Sequence, residues 1–243
     1  MADELMQLLW GPHPQPKRGP KPALSRGGIA RAGVGIADTE GLAALSMQRV
    51  AEQLGKTKMS LYRYVPGRAE LVALMVETAI TTPPEPVAGD WRTRLTGWSH
   101  ALAEVFARHP WLLDATVGAR LLGPNELAWM EQALAALDGT GLTGTERMDA
   151  VVLLTSHVRG IALQSRAAAG AEGPEAQFVA ALGKVLREHG DAYPSVVSAM
   201  TSSAGPQGQG QDQALTFGLE RILDGLEALI MRRTGAGAGE HGN

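Results

Sequence analysis

The amino-acid sequence predicts an all-α protein, with a small N-terminal module built on two crossed helices and a larger helical module after it. Three observations lead there. No stretch alternates apolar and polar residues with the period of two that a half-buried strand needs. Apolar residues recur instead at spacings of three and four along most of the chain. The segment Ser46–Arg68, SMQRVAEQLGKTKMSLYRYVPGR, reads as a short helix, a tight turn through Gly55 and a second short helix. Val50, Ala51, Leu54 and Leu61 fall where two crossed helices share a small core, and Gly55 can take the left-handed conformation that ends the first. Lys58, Ser60, Tyr62 and Arg63 remain outward, a set suited to phosphates and base edges. The unit reads as a helix-turn-helix.

Charge supports that reading. Residues 17–68 hold ten Lys/Arg against three acids, whereas residues 69–243 hold twelve against twenty. A basic head on an acidic body suits a nucleic-acid reader with a separate second module. Taken alone, the basic stretch fits a solvated face equally well; its coincidence with the two-helix unit favours DNA. At 243 residues and 44% hydrophobic, the chain can bury a sizeable core. It has no cysteine, which rules out disulfides and thiolate metal sites. No apolar run approaches the roughly 20 residues of a membrane span. The first residues place acids ahead of the apolar stretch, unlike a signal peptide. A cytoplasmic protein without metal or cofactor is expected.

In chain order, residues 1–23 carry five prolines from Pro12 to Pro22 and are expected to form a disordered leader. Within it Lys17, Arg18 and Lys21 make a flexible basic arm able to follow the DNA backbone or enter the minor groove. A first helix over 24–37, with Ile29, Ala32, Gly33 and Ile36 as its stripe, is poor by propensity because of its glycines, so packing must hold it. Ser46 suits the N-cap of the next. After Val65-Pro66-Gly67 a helix from Arg68 to Ile80 turns Leu71, Leu74, Met75 and Thr78 inward, and the prolines after Thr82 end the module. This gives a DNA-binding module over 24–82 and a second module over 83–233.

In the second module Asp90 caps a helix with Leu95, Trp98, Leu102, Val105 and Phe106 on one stripe. A short helix is expected over 111–120, then one from Pro124 to Leu137 with Leu127, Met130, Leu134 and Leu137 inward. Thr143 and Glu146 form a capping box at the start of a long helix to Ala169. Residues 175–188 follow as a helix, and the last, 212–232, carries Leu215, Leu219, Ile222, Leu226 and Leu229 as a heptad-like seam, which equally suits packing on the body of its own subunit. Residues 234–243 are read as a disordered tail.

An enzyme is disfavoured. There is no HExxH, GxSxG or GxxxxGK, and Gly33-Val34-Gly35 lacks both a preceding strand and a third glycine.

Ala51, Leu54, Gly55, Ser60, Leu61, Tyr62, Tyr64, Val65 and Leu71, above all the LYxYV segment Leu61–Val65, resemble the TetR (tetracycline-repressor-like) family of one-component bacterial regulators. The likeness is strongest over 24–80, and the remainder looks most similar to members with the tetracycline-repressor type of C-terminal domain. It implies a homodimeric, ligand-responsive repressor of a pseudo-palindromic double-stranded operator. By matching positions it implies that Gln48, Lys58, Met59 and Ser60 face base edges, and that Ser46, Thr57, Tyr62, Tyr64 and Arg68 hold phosphates. The seam Leu215–Leu229, with the helix around 148–165, would form the dimer's four-helix bundle. A pocket for a small apolar, ring-bearing effector would be lined by Trp98, Leu102, Phe106, Trp129, Leu153, His157, Ile161, Gln164 and Phe178. Each aromatic fits plain core packing equally well, and His157 and Gln164 also suit satisfied buried groups or the dimer seam.

Overall fold

The computed structural model describes residues 2–11, 24–168, 174–202 and 210–237. All regular structure among them is helical. The chain divides into two compact units, residues 1–151 and 152–243. The proline segment after Thr82 lies inside the first unit, and the division falls within a long helix.

The first unit opens with α1 (Ala2–Trp10) where a disordered leader is expected. Leu8 and Leu9 are only 4% exposed, α1 lies against the helix Arg68–Ile80, and Trp10 Nε1 donates to Leu122 O at 3.0 Å. Burial of the two leucines and an indole hydrogen bond order a segment too short to be stable alone. The basic arm lies outside the described residues.

α2 (Arg26–Glu40) is a weak helix by propensity, held by packing. Ser25 Oγ accepts from Gly28 N, and Ile29, Ala30, Gly33, Ile36 and Ala37 are buried. A Cβ on Gly33 would stand 2.6 Å from Met75 Sδ, so α2 and α5 approach closely only with glycine here. A 3₁₀ turn over Leu42–Ala44 leads to α3 (Met47–Gln53) and α4 (Lys58–Tyr62). Ser46 Oγ caps α3 through Arg49 N and Thr57 Oγ1 caps α4 through Ser60 N. Gly55 turns between them at φ 61°. Val50, Ala51, Leu61 and Val65 have no exposure at all, and Leu54 is half-buried.

α5 (Arg68–Ile80) buries Leu71, Met75, Val76, Ala79 and Ile80; Leu74 and Thr78, expected inward, are half-buried. α6 (Trp91–Arg108), capped by Asp90 through Thr93 N, buries the whole predicted stripe. α7 is a single turn (Leu112–Ala115) rather than a helix to 120. α8 (Pro124–Ala136) departs in part from the sequence expectation: Leu137 just past its end is buried as expected, but Trp129, Ala133 and Ala136 take the inward face, Met130 and Leu134 are half-buried and Leu127 is exposed. The reason is Trp129, whose large ring goes inward with its Nε1 donating to Thr81 O at 3.1 Å. α9 (Gly144–Ala168) begins with the predicted capping box: Glu146 Oε2 accepts from Thr143 N, and Thr143 Oγ1 accepts from Glu146 N.

The second unit holds the rest of α9, α10 (Pro174–His189), α11 (Pro194–Ser202) and α12 (Gly210–Gly237). Its inward face on α12 is Leu215, Leu219, Leu223 and Leu226. Of the predicted seam, Leu215, Leu219 and Leu226 are buried within the single chain, the packing on the subunit's own body that the sequence also allows, while Ile222 and Leu229 are half-buried on the flank. Among the large apolar side chains left outward are Phe217 (64% exposed) and Met231 (62%) on α12, and Val152 (58%) and Leu163 (42%) on α9. His157 Nε2 lies 3.0 Å from Leu215 O, and its ring occupies the space a Cβ on Gly218 would fill, at 2.2 Å.

Candidate nucleic-acid interface

The outward face of α3–α4 is a local consequence of the caps and core just described. Met59 is 74% exposed, and Tyr62 and Tyr64 are also exposed. Lys58 Nζ sits 5.7 Å from the Tyr62 ring centroid, a cation–π approach that orders the lysine head without neutralising it. Thr57 and Ser60 are partly occupied by their own turn, since Ser60 Oγ donates to Thr57 O at 2.7 Å. Gln48 Nε2 donates to Glu52 Oε1 at 2.8 Å, which holds the amide on the α3 surface.

Arg68 has a structural job that the sequence did not reveal. Its Nε donates to Leu45 O at 3.1 Å and Nη2 to Leu42 O at 3.0 Å, so it pins the 3₁₀ turn to α5. Any phosphate contact from Arg68 must use its remaining N–H groups. Arg49 Nη2 likewise pairs with Glu40 Oε1 at 2.7 Å, joining α2 to α3; the Glu40 hydrogen bond raises the guanidinium pKa. Arg26, Lys56 and Arg63 add exposed positive charge to the same module, and the local excess of Lys/Arg was the sequence signal for them.

Three sets of contacts tie this head to the helices that follow it in the first unit. Asp38 Oδ1, near the end of α2, accepts from Trp111 Nε1 at 2.7 Å and lies 2.8 Å from His109 Nδ1. Glu77 on α5 receives the first free N–H groups of α8, from Asn125 at 3.0 Å and Glu126 at 3.4 Å, while Asn125 Nδ2 donates to Glu77 O. Burial pushes the Glu77 carboxyl above its ordinary range, against the two backbone donors that lower it. Finally, Trp129 Nε1 on α8 donates to Thr81 O at the end of α5, and Trp98 Nε1 of α6 donates in turn to Trp129 O at 2.9 Å, with the two rings edge-to-face at 6.0 Å.

The predicted effector-lining residues are divided between the two units. In the first unit Trp98, Leu102, Phe106 and Trp129 are buried, and both indole N–H groups are engaged with backbone carbonyls. Those tryptophans serve as core anchors. In the second unit Leu153 and Gln164 are exposed, Ile161 is half-buried, and His157 is committed to Leu215 O. The side chain of Phe178 lies outside the described residues. Ser99 Oγ on α6 is fully buried without a hydrogen-bond partner among the described residues, a polar group that the sequence reading missed.

A capped two-helix unit with an exposed second helix, set on a basic module and hydrogen-bonded to further helices, defines a helix-turn-helix DNA-binding regulator. The profile of the tetracyclin repressor-like C-terminal domain matches residues 83–230. The HTH-type transcriptional repressor DrrR1 of Streptomyces coeruleorubidus is 38% identical over 96% of this chain and 88% of its own length. The crystal structure of the Streptomyces coelicolor TetR family protein ActR in complex with actinorhodin is 29% identical, covering 86% of this chain and 97% of that one at a TM-score of 0.70. Apo ActR matches at 28% identity over 88% of this chain and 99% of that one, also with a TM-score of 0.70. The chain belongs to the TetR family of helix-turn-helix transcriptional repressors.

Proposed function

We propose that the protein acts in the cytoplasm as a homodimer, with its two α4 helices in successive major grooves of a pseudo-palindromic double-stranded operator. In this reading a small apolar, ring-bearing molecule in the C-terminal helical domain releases it. The observation that carries the DNA part is the outward face of α4, where Lys58, Met59 and Tyr62 project from a helix pair fixed by two caps and a sealed core. Lys58 can donate to guanine, Met59 can touch a thymine methyl, and Gln48 can pair bidentately with adenine once it exchanges Glu52 for the base. Ser46, Thr57, Ser60, Tyr62, Tyr64 and the remaining N–H groups of Arg68 would hold register on phosphates, with Lys17, Arg18 and Lys21 reaching the adjacent groove.

The dimer face supported by burial is the outward side of α9 and α12. Val152 and Leu163 on one helix and Phe217 and Met231 on the other leave apolar surface that a two-fold related copy would cover as a four-helix bundle. For the effector, ActR is a relative crystallised with actinorhodin, which favours a polycyclic aromatic guest. The apolar stripe of α6 with the unpartnered Ser99 hydroxyl supplies a wall with one free polar group, as such pockets commonly have.

The test begins with selection of duplexes from a random pool by the full-length protein, followed by footprinting. Two protected half-sites about 34–36 Å apart are expected. Actinorhodin and simpler polycyclic quinones are then added to the complex. Release of the duplex at concentrations that also raise the melting temperature of the free protein supports the whole reading. A single protected half-site contradicts the dimer, and a complex that no such compound dissociates contradicts the polycyclic effector.

A further inference from the structure

A cavity of about 730 Å³ lies in the first unit between α1, the start of α2, α5 and the start of α8. That is within the roughly 300–1,000 Å³ of small-molecule pockets. One wall is apolar, formed by Leu8 and Leu9 of α1 with Leu24, Ala30 and Leu74. The lining also carries Arg26, Arg63 and Tyr64.

The hydrogen-bonding capacity of the lining is lopsided. The Glu77 oxygens already accept from Asn125 N and Glu126 N. The Thr78 hydroxyl donates to Leu74 O, the Thr82 hydroxyl to Asn125 Oδ1, and Asn125 Nδ2 to Glu77 O. By contrast, the guanidinium groups of Arg26 and Arg63 and the phenol of Tyr64 have no hydrogen bond or ion pair among the described residues. What is left for a guest is chiefly donors, two of them permanently charged. A lining that combines apolar side chains with unmatched cationic donors selects a molecule that is apolar in one part and anionic in another.

We infer that this cavity is a second ligand site, for an amphipathic organic anion whose ring system lies on Leu8, Leu9 and Leu74 and whose carboxylate or sulfonate meets Arg26 and Arg63. Arg63 directly follows α4, and Tyr64 is among the residues assigned to operator phosphates. Occupancy therefore takes Tyr64 from the DNA and places an anion beside the operator-facing end of α4, so the anion competes with the operator directly, independently of any effector in the C-terminal domain.

The test titrates full-length protein with anilinonaphthalene sulfonate and with N-phenylnaphthylamine, its uncharged counterpart, following probe fluorescence. The wild type is expected to bind the sulfonate at least about tenfold more tightly, the worth of a charge-assisted contact. Arg26→Ala with Arg63→Ala, both exposed, removes that preference. Gly27→Leu is an independent variant at the cavity lining: among the described residues the only neighbour of an added Cβ within 4 Å is the flexible Arg31 Nη1 at 3.3 Å, so the fold accommodates it while the cavity narrows. It is expected to weaken the sulfonate by about tenfold or more while leaving helicity and operator affinity unchanged. Added operator displaces the sulfonate from the wild type. A wild type without charge preference, or unchanged sulfonate affinity in either variant, overturns the proposal.

Discussion

The start of α8 is capped from another helix, and this leads to a prediction whose sign reverses with context. Gly123 precedes Pro124 and has no side chain with which to accept the N–H groups of Asn125 and Glu126; Glu77 of α5 accepts them instead. A Cβ on Gly123 would fall 2.1 Å from Glu77 Oε1, so the carboxylate occupies the place where a local cap would project. Serine at an N-cap ordinarily stabilises a helix by up to about 1 kcal/mol over a residue that cannot cap, and by a few tenths over glycine. Here Gly123→Ser must displace a half-buried carboxylate, so it should destabilise by about 1–2 kcal/mol. Glu77→Ala alone leaves two helix N–H groups short of acceptors and should cost about 1 kcal/mol, kept low because the group is half screened by solvent. In the Glu77→Ala background the clash is gone and the same serine can cap, so Gly123→Ser should become stabilising. For a chain of this size each kcal/mol moves Tm by about 2–4 °C.

The assay is thermal unfolding of the four proteins as a double-mutant cycle. It is repeated as pH falls. The folded-state pKa of Glu77 is raised, so ionisation of this group costs stability above that pKa, and the cost is relieved as pH drops toward its ordinary value near 4.5. Glu77→Ala should remove that contribution to the pH slope. Additive effects in the cycle, or a serine that stabilises the wild-type background, would refute the trans-capping reasoning.

Other outcomes follow from the same contacts. Lys58→Ala or Met59→Ala should weaken operator binding by about 1–3 kcal/mol per lost base contact, read by anisotropy, with thermal stability nearly unchanged. Arg68→Ala should behave differently: losing its bonds to Leu42 O and Leu45 O should cost about 1–3 kcal/mol of stability, visible as a lower Tm without DNA. Phe217→Asp should yield a helical monomer by light scattering, whereas Leu226→Asp, which buries a charge in the subunit's own core, should unfold the protein. A dimeric Phe217→Asp protein would place the interface elsewhere.

The parts of the fold legible in the sequence are those set by neighbours a few residues apart. Ser46, Asp90 and the Thr143–Glu146 box cap their helices through bonds spanning three residues, and Val50, Ala51 and Leu61 meet across one short turn. The α6 stripe was readable because its large apolar residues share one phase. The inward faces of α8 and α12 were readable only in part. On α8, Trp129 overrode a leucine pattern through its reach to Thr81 O, and on α12 the inward stripe runs through Leu223 instead of Ile222. Periodicity gives a helix several acceptable phases, and tertiary partners choose among them. The polar ties were beyond sequence for the same reason. Asp38 meets Trp111 across 73 positions and Glu77 meets Asn125 across 48, and no local pattern encodes such pairs. Helix α1 was missed because its order comes from burial against α5, which a proline-rich setting conceals.

The most direct measurement of the central claim is operator affinity across a salt series, for wild type and Lys58→Ala, with excess unrelated duplex present. A helix-turn-helix dimer that reads sequence from α4 and register from phosphates should show log affinity falling linearly with log salt, with a slope of about −0.9 for each phosphate neutralised. The variant should lose affinity for the selected operator far more than for unrelated DNA. Binding indifferent to salt, or equal for operator and competitor in both proteins, would contradict the account.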